Sequence, residues 1–122
     1  MKNTLFITLF LATVAFPASG QILKETKTPA IKTAIQTGQL AGAGYFCQVN
    51  NDTLDDLITL SHSRIALEAI DKVDRVVAQL EFSNNYSAWS ARPPEEGCEI
   101  FRQNFIKNVK TLFQMNKGPE GP

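Results

Sequence analysis

The residues able to do covalent chemistry are few, and their spacing narrows what they can do. The chain holds two cysteines, Cys47 and Cys98. A redox dithiol needs its sulfurs close in sequence, as in Cys-x-x-Cys, so this pair reads as a structural disulfide formed in an oxidising compartment. The bridge closes a loop of about 50 residues, worth roughly 4 kcal/mol in the chain-entropy account. His62 is the single histidine. With no second histidine, and no cysteine or carboxylate at ligand spacing, it offers no metal centre. Ser61 and Ser63 make no triad with it, because neighbours on a helix point about 100° apart. The doublets Asp55-Asp56 and Glu95-Glu96 stand where helix N-termini favour acids, whereas a glycosidase pair must face a cleft from both sides. No glycine-rich phosphate loop and no cofactor motif occurs. The reading is a protein without catalytic residues, metal or cofactor.

The aromatic residues suggest binding instead. Residues 83–93, Ser-Asn-Asn-Tyr-Ser-Ala-Trp-Ser-Ala-Arg-Pro, read as a loop by composition. Tyr86 and Trp89 beside Arg92 in a polar loop are the ingredients of a protein-binding hot spot. Asp71 and Asp74 on the preceding helix would add a charged rim. The candidate binding site is therefore Tyr86, Trp89, Arg92, Asp71 and Asp74. The competing reading folds Trp89 back as a lid over the core. Asn51-Asp52-Thr53 and Asn85-Tyr86-Ser87 match the N-glycosylation sequon.

The elements that position these residues begin after a leader. Met1-Lys2, the apolar run Leu5 to Phe16 and the small residues Ala18-Ser19-Gly20 have the layout of a secretory signal peptide. Its apolar run is too short for a bilayer, which takes about 20 residues. Residues 21–115 then form one small helical domain, and 116–122, rich in Gly and Pro, form a disordered tail. The charge balance excludes a nucleic-acid binder, which needs a basic excess: the whole chain has 12 Lys plus Arg against 12 Asp plus Glu. The acids concentrate in the middle. Ten acidic and four basic residues lie between Gln48 and Ile100, flanked by basic ends.

Helical signals run through the domain. Thr28-Pro29 reads as N-cap and first helical residue. The helix is expected to end near Gln39, since Gly38, Gly42 and Gly44 each cost about 1 kcal/mol relative to Ala. Ala41 to Gly44 is then a bend or a close-packing surface. Asp52 or Thr53 caps a second helix, with a break or kink expected at Ser61-His62-Ser63. Ile65, Ile70, Val73, Val77 and Leu80 recur at helical spacing and read as a core face. Pro93-Pro94 opens the last helix, whose apolar face carries Phe101, Phe105, Val109 and Leu112. The predicted core adds Ile31, Ile35, Leu57 and Ile58.

The expected fold is all-α, a small bundle of three to four helices stapled by one disulfide. In size and cysteine layout this plan resembles the acid-activated chaperones of the bacterial periplasm and the small helical immunity proteins that neutralise cell-wall-attacking toxins. No residue motif accompanies the resemblance, so no functional residue is carried over. The expectation is a periplasmic or secreted, non-catalytic protein that binds a protein partner, with a homodimer open. The alternative is an acid- or stress-activated chaperone. Mass spectrometry of the non-reduced mature chain checks the cysteine reading: a monomer lighter than the reduced form by its thiol hydrogens is expected, and free thiols or a linked dimer would refute it.

Overall fold

The computed structural model describes residues 27–115; the leader 1–20 and the tail 116–122 lie outside the described residues. The fold is all-α: α1 (Pro29–Phe46), α2 (Asn51–Glu68), α3 (Lys72–Trp89) and α4 (Cys98–Met115). Helix α1 is central. It lies along α3, flanks α2, and meets the N-terminal half of α4.

Helix α1 starts as its sequence says. Thr28 has extended backbone, and its hydroxyl accepts from the Ile31 N–H at 3.2 Å while Pro29 takes the first helical position. The helix does not stop near Gln39. It continues through all three glycines to Phe46, because two of them are needed where they are. A Cβ on Gly38 would stand 2.7 Å from the Phe82 carbonyl oxygen, and one on Gly42 would stand 2.5 Å from that of Tyr86. The helix-propensity cost of each glycine is offset by a backbone-to-backbone approach that no side chain permits. Every buried residue of α1 is small: Ala30, Thr33, Ala34, Thr37, Gly38, Ala41, Gly42, Ala43 and Gly44.

Helix α2 is capped by Asn50, whose side chain accepts from the Asp52 and Thr53 N–H groups at 2.8 and 3.2 Å. It runs unbroken through Ser61-His62-Ser63. Ser61 is fully buried and returns its hydroxyl to the Leu57 carbonyl at 2.6 Å, so the expected break is absorbed inside the helix. The chain turns instead at Ala69 to Asp71, where Asp71 caps α3 by accepting from the Asp74 N–H at 2.8 Å.

Helix α3 contains the largest departure from the expected core. It runs to Trp89, so most of the expected loop is helix. Its buried side is Asp74, Ala78 and Phe82, with Tyr86 and Trp89 packed partly against the core. Val73 lies half a turn from Phe82 at about 100° per residue, and the row Ile70, Val73, Val77 and Leu80 faces outward. Two apolar faces competed for α1. The winner carries three aromatics, each able to bury about 150–250 Å², and the fully buried Ala78 lies on the same face. The aliphatic row would have held α3 too far away for the glycine contact.

Helix α4 begins at Cys98, later than the Pro93-Pro94 start expected, and Gly97 takes φ 90° just before it. Cys47 and Cys98 are bonded, with Cα atoms 5.1 Å apart. Arg102 Nη1 donates to the Cys47 carbonyl at 2.9 Å, satisfying the C-cap of α1. Phe101 and Phe105 are buried beside it, with ring centroids 5.6 Å apart. The remaining large core residues are Leu54, Leu57 and Ile65.

Gly42→Ala is expected to lower stability by about 2 kcal/mol through overpacking against backbone, or roughly 10 °C in Tm for a domain of this size. Gly44→Ala is the control. Its nearest atoms are side-chain ends at 3.1–3.3 Å, which can move, so thermal melts should separate the two variants clearly.

Candidate functional site

The residues singled out from sequence fall at opposite ends of α3. Trp89 and Arg92 lie together at its C-terminal end, with the guanidinium 4.8 Å from the ring centroid. Asp71 lies 18 positions before Trp89, about 27 Å away along a straight helix. No single site gathers all five.

The two aspartates serve the fold. Asp71 is the N-cap of α3. Asp74 is buried, accepting the Thr28 hydroxyl at 2.7 Å through Oδ1 and the Ile70 N–H at 3.0 Å through Oδ2. One carboxylate thus ties the start of α1, the turn after α2 and the first turn of α3. Its position between helix N-termini suits a negative charge. It is not a rim charge.

The aromatics are divided as well. Tyr86 stacks on Phe82 and meets Tyr45, both with centroids 6.1 Å apart. Burial pushes the Tyr86 hydroxyl above its ordinary range, and the neighbouring Tyr45 and Asp55 add to the effect. His62 is tilted against Phe82 with centroids 4.7 Å apart, so the lone histidine packs between α2 and α3. Trp89 packs partly against the core and walls an open groove of about 310 Å³ with Leu40, Phe101 and Leu112. Its position agrees with the lid reading. Asn85 donates to the Glu81 carbonyl at 2.8 Å and accepts from Gln39 at 3.3 Å, so the second sequon sits in the α1–α3 contact.

The surface best suited to a partner is the outward row of α3. Ile70 is 72 % exposed, Val73 71 %, Val76 55 %, Val77 37 % and Leu80 58 %. Val73, Val76, Val77 and Leu80 lie on one stripe of α3 at spacings of three and four, and Ile70 stands in the turn before its N-cap. Soluble domains scatter exposed aliphatics singly; a contiguous patch marks an interaction site. Sequence periodicity found the row and assigned it to the core. Phe82, Tyr86 and Trp89 at i, i+4 and i+7 were the signal for the other face, hidden within a run of Ser and Asn.

Among the described residues no His, Cys, Asp or Glu cluster of three or more could hold a metal ion, and no helix is long and apolar enough to cross a membrane. No family model, curated protein or solved structure matches this chain.

Asp74→Ala should remove an acceptor shared by Thr28 and the Ile70 N–H. Two part-buried hydrogen bonds to a buried carboxylate, each worth about 1.5–3 kcal/mol, are lost together, so Tm should fall by roughly 10 °C or more. Asp71→Ala removes only a cap, worth about 1 kcal/mol. A larger loss at position 71 than at 74 would contradict the roles given to them.

Proposed function

We propose that this chain is an exported, non-catalytic binding protein whose contact surface is the outward row of α3. The carrying observation is that row itself: four aliphatic residues, Val73, Val76, Val77 and Leu80, on one stripe of α3, left in water by a helix that packs through its other face. Fully burying one such side chain is worth about 1.5–3 kcal/mol, so a complementary surface has several kcal/mol to gain here. The leader-like first twenty residues and the structural disulfide both support an oxidising destination. The Trp89 groove is the weaker surface, because the indole already rests on the core and on Arg92.

The chaperone reading has less support. An acid-triggered chaperone hides its apolar surface until carboxylates discharge, whereas this row is exposed with the bundle intact. The buried acid described is Asp74; Glu68 and Glu81 are half-buried, Glu68 accepting from the Thr33 hydroxyl at 2.6 Å, and the other described acids of the middle are exposed.

Val73→Glu tests the surface. Substitution at an exposed helix position should change stability by about 0.5 kcal/mol or less, so circular dichroism and Tm should match the parent. Photo-crosslinking from position 77 in source cells should yield a protein adduct that disappears in the Val73→Glu background. An adduct of unchanged intensity would exclude the row as the contact.

A further inference from the structure

We infer that the cavity between the C-terminal end of α1 and the start of α2 is a binding site for a neutral oligosaccharide, separate from the α3 row. The cavity measures about 630 Å³, within the range of small-ligand sites. Tyr45 and Phe46 supply aromatic surface to it, and Gln48, Asn50, Asn51 and Ser90 supply polar groups. Among the described residues lining it, none is charged. This set points to one ligand chemistry. A sugar ring carries a C–H face that packs on an aromatic ring, and hydroxyls that each donate and accept. A carboxamide offers donors and an acceptor in one plane, and a hydroxyl offers both on one atom. A phosphate, carboxylate or amine would instead call for an opposite charge. The groove walled by Trp89 has Glu96, and the one between α2 and α4 has Arg64 and Lys110, so neither shares the neutral lining.

The turn that frames the cavity keeps a side chain where backbone alone would choose none. The Gln48 N–H donates to the Tyr45 carbonyl and the Val49 N–H to the Gly44 carbonyl, both at 3.1 Å. These paired bonds close a helix through a left-handed residue, ordinarily glycine. Here that residue is Gln48, at φ 59°. A Cβ is disfavoured in this conformation, and strain of this kind collects at binding sites. Gln48 and Asn51 are exposed, and neither side chain has a hydrogen-bond partner among the described residues. Asn50 turns its Oδ1 to the first N–H groups of α2, which leaves its Nδ2 as a donor. Tyr45 is 59 % exposed and Phe46 37 %. The Cys47–Cys98 bond and the Arg102 donation to the Cys47 carbonyl fix the same turn, so these groups are held in place before a ligand arrives.

Isothermal titration of the disulfide-intact protein with cellotriose, maltotriose and triacetylchitotriose tests the site. At least one should bind saturably at millimolar or lower concentration, and trigalacturonate, an acidic counterpart, should bind several-fold more weakly. Tyr45→Ala should weaken binding roughly tenfold, the loss of one stacking platform. Gln48→Gly removes the amide and puts glycine at the left-handed position, so its Tm should equal or exceed the parent's while binding falls several-fold. A lost contact is thereby separated from a damaged fold. Val73→Glu should bind the sugar as the parent does, because the α3 row lies on the N-terminal half of that helix. Absence of binding by all three neutral sugars overturns the inference. So does tighter binding of trigalacturonate, or binding that Tyr45→Ala and Gln48→Gly both leave intact.

Discussion

The structure depends on how closely α1 and α3 approach. Gly38 and Gly42 leave no room for even one methyl group against the carbonyls of Phe82 and Tyr86. That distance dictates the rest. It forces α1 to bury small residues only, it selects the side of α3 that can face α1, and it sends the bulky hydrophobic volume to the flanks. Leu57 and Ile65 come from α2, and Phe101 and Phe105 come from α4. A bundle of large aliphatic seams would have stood further apart and had no use for the glycines.

The fold class was legible because its signals are local. Thr28-Pro29 fixes a helix start by chain stereochemistry alone, and an isolated pair of cysteines has one obvious partner each. The errors share a different cause. Glycines were weighed by helix propensity, a property of an isolated helix, whereas Gly38 and Gly42 are set by a neighbour about 45 residues away in sequence. Ser61 was read as a breaker because serine competes for backbone hydrogen bonds; buried, it donates to the carbonyl one turn back and the helix continues. The expected loop around Tyr86 is helical because Ser83, Asn84 and Ser87 face water, Asn85 bonds to Gln39 and to the Glu81 carbonyl, and the aromatics face α1 and α2.

The candidate site was half legible. Periodicity found the aliphatic row of α3, but period alone cannot say which of two apolar faces is buried. That choice turned on aromatic area and on the close approach of Gly38 and Gly42 to the Phe82 and Tyr86 backbone, facts of packing between helices. Asp71 and Asp74 were legible as acids early in a helix. One of them had a larger role than charge display, since the Asp74 carboxylate joins three segments through two hydrogen bonds.

The pairing of α1 with α3 has a consequence for how the chain reaches this state. Helical bundles generally fold fast because neighbouring helices meet first. Here the tightest contact skips α2. Thr28 and Asp74 are 46 residues apart, and the sulfurs that close the structure are separated by 51. A chain emerging from its N-terminal end therefore shows α1, with its thinly covered backbone and an unpaired Cys47 thiol, well before anything that can cover either. The assembly step must await α3, and oxidation must await Cys98. For a small helical protein this is a β-like order of events, with a long loop closed before the main contact forms.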